Sequence, residues 1–170
     1  MAGMRGTKTI RDMVLSLAVI GAVVAFIYIF IPHDESQSPV QTVSYDVELA
    51  TAKRAAAYPV LAPEGLDKDW RATSVRFKAD ERDHWHLGFH SDNGGYFAVE
   101  QSTERAPVFV DQVTRGAEQT GRTERIDGSA WTRYEGETYD ALVRTEKGAT
   151  TVVTGSASFE TLARVAGSLK

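Results

Sequence analysis

The stretch of sequence that decides the fold is residues 84–101, HWHLGFHSDNGGYFAVEQ. In its first half, large apolar residues alternate with histidine or glycine, which is the period of two of a strand with one buried face. The Asn93-Gly94 step that follows is typical of a tight hairpin turn. A second run with strand character begins at Tyr96. These residues therefore predict an antiparallel β-hairpin.

Further strands are predicted on both sides of this hairpin. Upstream, apolar and polar residues alternate again from residue 74 to residue 79, so a third strand completes a meander. Downstream, short apolar runs are separated by glycines, which is typical of strands joined by turns. These runs are residues 125–127, 130–134, 139–145 and 150–154.

Apolar residues at helical spacing predict three short helices, at residues 45–56, 107–117 and 159–169. Pro107 suits a first helical turn, and Ser158 is an expected N-cap. An alternating strand needs cover on one face only. The sequence therefore predicts an α+β fold: a mainly antiparallel sheet of about six strands, with helices packed on one face.

The N-terminal region is different in composition. Met13 to Ile31 contains 19 residues without a charge, and basic residues outnumber acidic ones before it. A helix of that length covers about 28 Å, close to the thickness of a bilayer core. The charge bias predicts a cytoplasmic N-terminus. A cleaved signal peptide is the alternative, but the apolar run is longer than usual and no small-x-small site follows it.

The predicted organisation therefore has four parts. They are a cytoplasmic tail at 1–12, a transmembrane helix at 13–31 that makes the lipid bilayer a partner, a polar tether at 32–42, and an extracytoplasmic α+β domain at 43–170. We expect the protein in the plasma membrane as a single-pass protein.

Composition excludes several classes of function. The chain has no cysteine, which excludes disulfides, thiol nucleophiles and cysteine-bound metals. Residues 32–170 carry 16 basic and 22 acidic residues, a net charge of −6. A domain of that sign repels phosphate backbones, so nucleic acid is not an expected partner. No motif for a cofactor is found, and none is predicted.

Several motifs resemble a known family. They include YPVLAPEGLDKDW at 58–70, HWHLGF at 84–89 and FVDQVTRGA at 109–117. They are similar to an actinobacterial family of single-pass membrane proteins with an extracytoplasmic domain of unknown function. The block from Ile126 is also distantly similar to extracytoplasmic modules of anti-sigma factors and envelope sensors. That resemblance implies an envelope-facing binding module, although residues 1–12 are too few for a sigma-binding domain.

The histidines at 84, 86 and 90 are the candidate metal ligands. His84 and His86 lie about 7 Å apart on one face of a strand and can chelate one ion, whereas His90 lies about 13 Å further along. Asp80, Glu81 and Asp83 in the preceding turn are possible oxygen ligands. The alternative is that the histidines only form the polar face of an amphipathic strand, since a zinc site needs three or four ligands.

The candidate partner-binding residues are Arg76, Lys78, His84 and His86. Strand parity places them on one face of the sheet, predicted to be the face opposite the helices. No Gly-x-Ser-x-Gly elbow or other catalytic motif is found, so the protein is not expected to be an enzyme. We predict a non-enzymatic binding or accessory module with a protein partner in the cell envelope. The alternatives are a ligand- or metal-binding envelope sensor and, less favoured, an envelope hydrolase.

Overall fold

The structure is a computed structural model that describes residues 5–30 and 41–170. The chain divides into two compact units, residues 1–39 and residues 40–170. Each unit is described separately below.

The first unit contains one helix, α1 (Arg5–Phe30). Its long apolar run has no residue that breaks a helix, since Gly21 is tolerated there. Where residues are described, no helix reaches the length and hydropathy needed to cross a membrane. The end of the predicted span at Ile31, and residues 32–40 of the predicted tether, lie outside the described residues.

The second unit is built around one seven-stranded sheet with three helices. Along the chain its elements are α2 (Asp46–Ala55), β1 (Trp70–Lys78), β2 (His84–Ser91), β3 (Tyr96–Ser102), α3 (Ala106–Thr114), β4 (Glu118–Ile126), β5 (Ser129–Glu135), β6 (Asp140–Glu146), β7 (Ala149–Gly155) and α4 (Phe159–Ser168).

The sheet joins two antiparallel meanders. Its strand order is β1-β2-β3-β7-β6-β5-β4, and every neighbouring pair is antiparallel. The predicted α+β class and the hairpin of residues 84–101 are confirmed. The predicted count of about six strands is too low, and the strand predicted at 125–127 covers only the end of β4, which runs along the sheet edge with mostly exposed polar side chains. Its sequence therefore lacks the alternation that indicates a strand.

Helices pack on both faces of the sheet, so the prediction that they lie on one face is wrong. The reason is visible in β7, where successive side chains point to opposite faces. Val153 belongs to the large core formed with α2 and α4. Val152 instead packs with Phe109 and Val110 of α3 in a second, smaller core. A central strand buried on both faces has a continuous apolar run, which hides which face a helix covers.

The helix ends lie close to the positions predicted from the sequence, and two tryptophans are buried. Ser158 caps α4, since its Oγ accepts a hydrogen bond from the Thr161 amide at 3.3 Å. Helix α3 ends at Thr114, earlier than predicted, because Arg115 adopts a left-handed conformation. Trp85 and Trp131 are fully buried in the larger core.

Candidate functional site

A group of polar residues lies on the α3 face of strands β1, β2 and β3. His86 on β2 is directly opposite Glu100 on β3. Ser74 on β1 pairs with Gly88, which places the serine diagonally across from His86. All three side chains share one face because strand parity is preserved along each strand. We call Ser74, His86 and Glu100 the polar row.

The polar row forms a continuous chain of hydrogen bonds. Ser74 Oγ lies 2.8 Å from His86 Nε2. The other ring nitrogen, His86 Nδ1, lies 2.5 Å from Glu100 Oε1. The second carboxylate oxygen, Oε2, lies 2.8 Å from His84 Nε2. Both carboxylate oxygens therefore have an imidazole partner.

These contacts fix which ring nitrogen of each imidazole carries a proton toward the carboxylate. An ionised carboxylate only accepts hydrogen bonds, so His86 donates from Nδ1 and His84 donates from Nε2. In a neutral His86 the other ring nitrogen, Nε2, is the acceptor, and the Ser74 hydroxyl is its donor. The imidazole is held between the serine and the carboxylate in one tautomer.

Burial makes this arrangement electrostatically significant. The side chains of Glu100, His86 and His84 are only 8%, 12% and 14% exposed. Burial raises the pKa of Glu100, but the hydrogen bonds from His84 and His86 and their charges outweigh burial, so the net pKa is below its ordinary value. The carboxylate is therefore ionised at neutral pH, in a place where a charge without partners would be costly.

Gly88 leaves the space in which the serine hydroxyl sits. A Cβ atom at Gly88 would lie 2.5 Å from Ser74 Oγ. It would also lie 3.2 Å from Tyr96 Oη and 3.3 Å from His86 Nε2. Three polar atoms therefore converge above the Gly88 backbone, and a larger residue would push at least the serine aside.

An open cavity of about 680 Å³ adjoins the polar row. We call it the Ser74 cavity; its lining includes Thr73, Ser74, His90, Tyr96, Tyr139 and Ser156. The rings of Tyr96 and Tyr139 lie 5.6 Å apart. The Arg115 guanidinium lies 5.0 Å from the centre of the Tyr139 ring.

Tyr96 keeps its proton at neutral pH. Burial, with a further contribution from the Glu100 charge, raises the pKa of Tyr96 to about 12. Its hydroxyl therefore remains a hydrogen-bond donor near the Ser74 hydroxyl. The Tyr96 amide donates to Ser156 Oγ at 3.2 Å, which connects β3 to the segment after β7.

The candidate metal ligands are only partly brought together. His84 and His86 meet at Glu100, whereas His90 packs its ring against Tyr96, 4.8 Å away between centroids. In the turn, Glu81 pairs with Lys78 at 2.5 Å, and the Asp83 side chain accepts from the Ala57 amide. Across residues 5–30 and 41–170, no group of three or more acidic or histidine residues is placed to hold a metal ion.

The candidate partner-binding residues differ in accessibility. Arg76 is exposed and Lys78 is half-buried. His84 packs its ring edge-to-face against Phe109 of α3, with 5.2 Å between ring centroids. Because α3 covers this part of the face, only the β1 cations are open to a large partner. Binding of a protein by these four residues stays a prediction.

Sequence reasoning missed Ser74, Glu100 and Tyr96 as site residues. A signal was present for Glu100, which is a carboxylate within the apolar run YFAVEQ. A charge in a strand predicted to be buried requires a partner of opposite charge or a hydrogen-bond donor. Ser74 carries no such signal, because its relation to His86 depends on the register between two strands.

Comparison with known proteins gives a family but no activity. A family model with the description "Protein of unknown function (DUF4245)" matches residues 5–169. No curated protein matches the chain. The match spans the helix of the first unit and all of the sheet unit except Lys170, including every residue of the polar row.

Proposed function

We propose that this chain, which belongs to the DUF4245 family of proteins of unknown function, is a membrane-anchored extracytoplasmic module that binds a small polyhydroxylated ligand, such as a sugar. The observation that carries this proposal is the Ser74 cavity, which combines tyrosine rings with several hydroxyl groups. The proposal keeps the expected binding role and moves the site from an exposed face to a cavity.

The size and chemistry of the cavity support a small ligand. Ligand sites usually enclose about 300 to 1,000 Å³, and the Ser74 cavity has about 680 Å³. A sugar ring presents an apolar C–H face that packs on an aromatic ring, while its edge is rich in hydroxyls. Tyr139 offers such a ring, and Ser74 and Tyr96 offer hydroxyl partners.

The site is preorganised, which reduces the entropy lost on binding. The Arg115 guanidinium stacks over Tyr139 and restricts that ring. His90 and Tyr139 both contact the Tyr96 ring. Ser74 is held by its hydrogen bond to His86. The ligand therefore meets side chains that already have partners to hold them in place.

A binding titration tests this proposal. Isothermal calorimetry of the full-length protein in mild detergent, with simple mono- and disaccharides, should show saturable binding of at least one of them. Tyr139→Ala should weaken that binding at least tenfold. Tyr134→Ala is the matched control, because Tyr134 is also half-buried but lies on β5 outside the cavity lining. Absence of saturable binding, or equal loss in both variants, would contradict the proposal.

Anchoring in the membrane is a separate part of the proposal. Its support is the uncharged run from Met13 to Ile31 and the basic residues before it. The protein should remain in the pellet after alkaline extraction of membranes. A phosphatase reporter fused after Lys170 should be active only if the sheet unit lies outside the cytoplasm. A soluble protein, or an inactive reporter, would contradict this part alone.

Two other predictions remain for experiment. Zinc binding by His84 and His86 is tested by equilibrium dialysis, with His86→Ala as the variant that should abolish it. An envelope protein partner is tested by crosslinking in cells, comparing the wild type with charge reversals at Arg76 and Lys78.

A further inference from the structure

We infer that Ser74 is an activated nucleophile and that the polar row hydrolyses small acyl esters. The inference rests on the proposed function only for the alcohol half of the substrate, which would be the polyhydroxylated ligand of the Ser74 cavity. The acyl half would lie against Ser74. This goes beyond binding, because it assigns a covalent step to the site.

The geometry is that of a nucleophile, a base and a group that orients the base. The serine hydroxyl contacts His86 Nε2 at 2.8 Å, and the opposite ring nitrogen contacts Glu100 at 2.5 Å. This is the order of atoms found in serine hydrolases, and it recurs on unrelated folds because the chemistry depends on geometry. Here the three residues come from three adjacent antiparallel strands.

The three residues differ in exposure, and their roles differ accordingly. Glu100 is buried and does not line the cavity, so it is a positioning residue that holds the His86 tautomer and stabilises the imidazolium. Ser74 is half-buried and lines the cavity, so a ligand can reach its hydroxyl. His84 holds the second carboxylate oxygen and keeps Glu100 from rotating away.

The reaction would proceed in two balanced steps. Ser74 Oγ attacks the ester carbonyl carbon, and its proton passes to His86 Nε2. The bond between that carbon and the alcohol oxygen breaks, and His86 returns the proton to the departing alcohol. Water then attacks the acyl-serine with proton transfer through the same nitrogen. The products are the free alcohol, a carboxylic acid and the regenerated serine.

Tyr96 is placed to stabilise the oxyanion of this reaction. Its hydroxyl oxygen and Ser74 Oγ both lie close to the point where a Gly88 Cβ would be. The hydroxyl keeps its proton at neutral pH and can donate to a negative oxygen. Because Gly88 has no Cβ atom, it does not push Ser74 Oγ away from this position.

Labelling with a biotinylated fluorophosphonate tests the inference on the full-length protein in mild detergent. The probe requires an activated hydroxyl and no sugar, and the chain has no cysteine that could react instead. We expect one label, located on Ser74 by mass spectrometry and absent in Ser74→Ala. Ser129→Ala is the matched control, because Ser129 is also a half-buried strand serine. In the Ser129→Ala variant, Ser74 should be labelled at the wild-type rate.

Two further variants separate catalysis from structure. Glu100→Gln should slow labelling by about 100-fold or more, and Tyr96→Phe should slow turnover of p-nitrophenyl acetate by about 100-fold. Both rates are compared at equal folded fraction, measured by tryptophan fluorescence. A folded protein without a label at millimolar probe, or a label on another residue, would overturn the inference. If the wild-type protein binds the saccharide but carries no label, this inference fails and the proposed binding function stands.

Discussion

Removing the Glu100 carboxylate should destabilise the sheet unit by about 2–6 kcal/mol, because two buried hydrogen-bond donors lose their acceptors. The structure explains this magnitude. Glu100→Ala leaves two buried donors, His84 Nε2–H and His86 Nδ1–H, without the acceptors that they now have at 2.8 and 2.5 Å. Each orphaned donor costs about 1–3 kcal/mol. The missing side-chain volume adds a smaller loss of stability, and water that enters the space reduces this loss.

Glu100→Gln is the more selective change. The amide has the same shape and one carbonyl acceptor, but its NH2 group faces an imidazole donor. We expect a loss of about 1–3 kcal/mol, since one hydrogen bond is removed and one donor is left unpaired. Glu137→Gln is the control, because Glu137 is exposed in the turn between β5 and β6 and should change stability by less than about 0.5 kcal/mol.

The pH dependence gives an independent check. The pKa of Glu100 in the folded protein lies below its ordinary value of 4.5. Its carboxylate therefore stabilises the fold fully above about pH 4.5, and that stabilisation is lost as the pH falls through the folded-state pKa. The difference between the wild type and Glu100→Gln should be largest at neutral pH and should shrink in acid.

Urea titration with fluorescence detection measures both effects, because all three tryptophans lie in the sheet unit. Glu100→Ala should shift the midpoint to lower urea with little change in slope. A loss below about 1 kcal/mol would refute the argument that the carboxylate is an essential acceptor. An unchanged difference between wild type and Glu100→Gln from pH 7 to pH 3.5 would refute the ionised state.

Three further substitutions test the packing around the site by the same urea titration. Gln101→Leu should cost about 2–3 kcal/mol, because the Gln101 side-chain Oε1 accepts from the half-buried Leu61 amide at 2.7 Å; a change below about 0.5 kcal/mol would be inconsistent with this role. Gly155→Ala should cost about 3 kcal/mol or more, because the new methyl group would collide with the Tyr96 carbonyl. A urea midpoint equal to that of the wild type would argue against the β3–β7 packing. Ser158→Ala should cost about 1 kcal/mol through loss of the helix cap, while Ser158→Asp should retain most of the stability.

Local patterns in the sequence were sufficient for much of the fold. The hairpin of residues 84–101 was predictable because alternation and the Asn93-Gly94 turn act within a few residues of each other. The cap at Ser158 was predictable for the same reason. Only the end of strand β4 was predicted, at residues 125–127, since its exposed edge position removes the apolar alternation. The face covered by α3 depends on contacts between Phe109 and strands more than 30 residues away, such as Val143 on β6.

The candidate site depends on the same non-local information. Strand parity correctly placed His84 and His86 on one face, but it did not show what faces them. Their partner Glu100 comes from the next strand, and it meets His86 only in the observed register of β2 and β3. A register shift of one residue would bring Gln101 to the same position and turn Glu100 to the other face. The polar row therefore follows from the pairing, which single-strand patterns do not contain.

The position of the polar row within the sheet is itself an argument for function. Glu100 pairs with Val152 on β7, and Val152 pairs with Val143 on β6, so the same row of the sheet continues with apolar residues under α3. Apolar residues at 86 and 100 would extend that core, and such replacements of buried ionic groups are often neutral or stabilising. Stability alone therefore does not explain a carboxylate between two imidazoles here. Toward β1 the residues of this row become polar. His86 pairs with Arg76 and makes a diagonal hydrogen bond to the Ser74 hydroxyl, which lines the Ser74 cavity. A site that must hold one imidazole tautomer against a serine requires this arrangement, whereas a site that only supports the sheet does not.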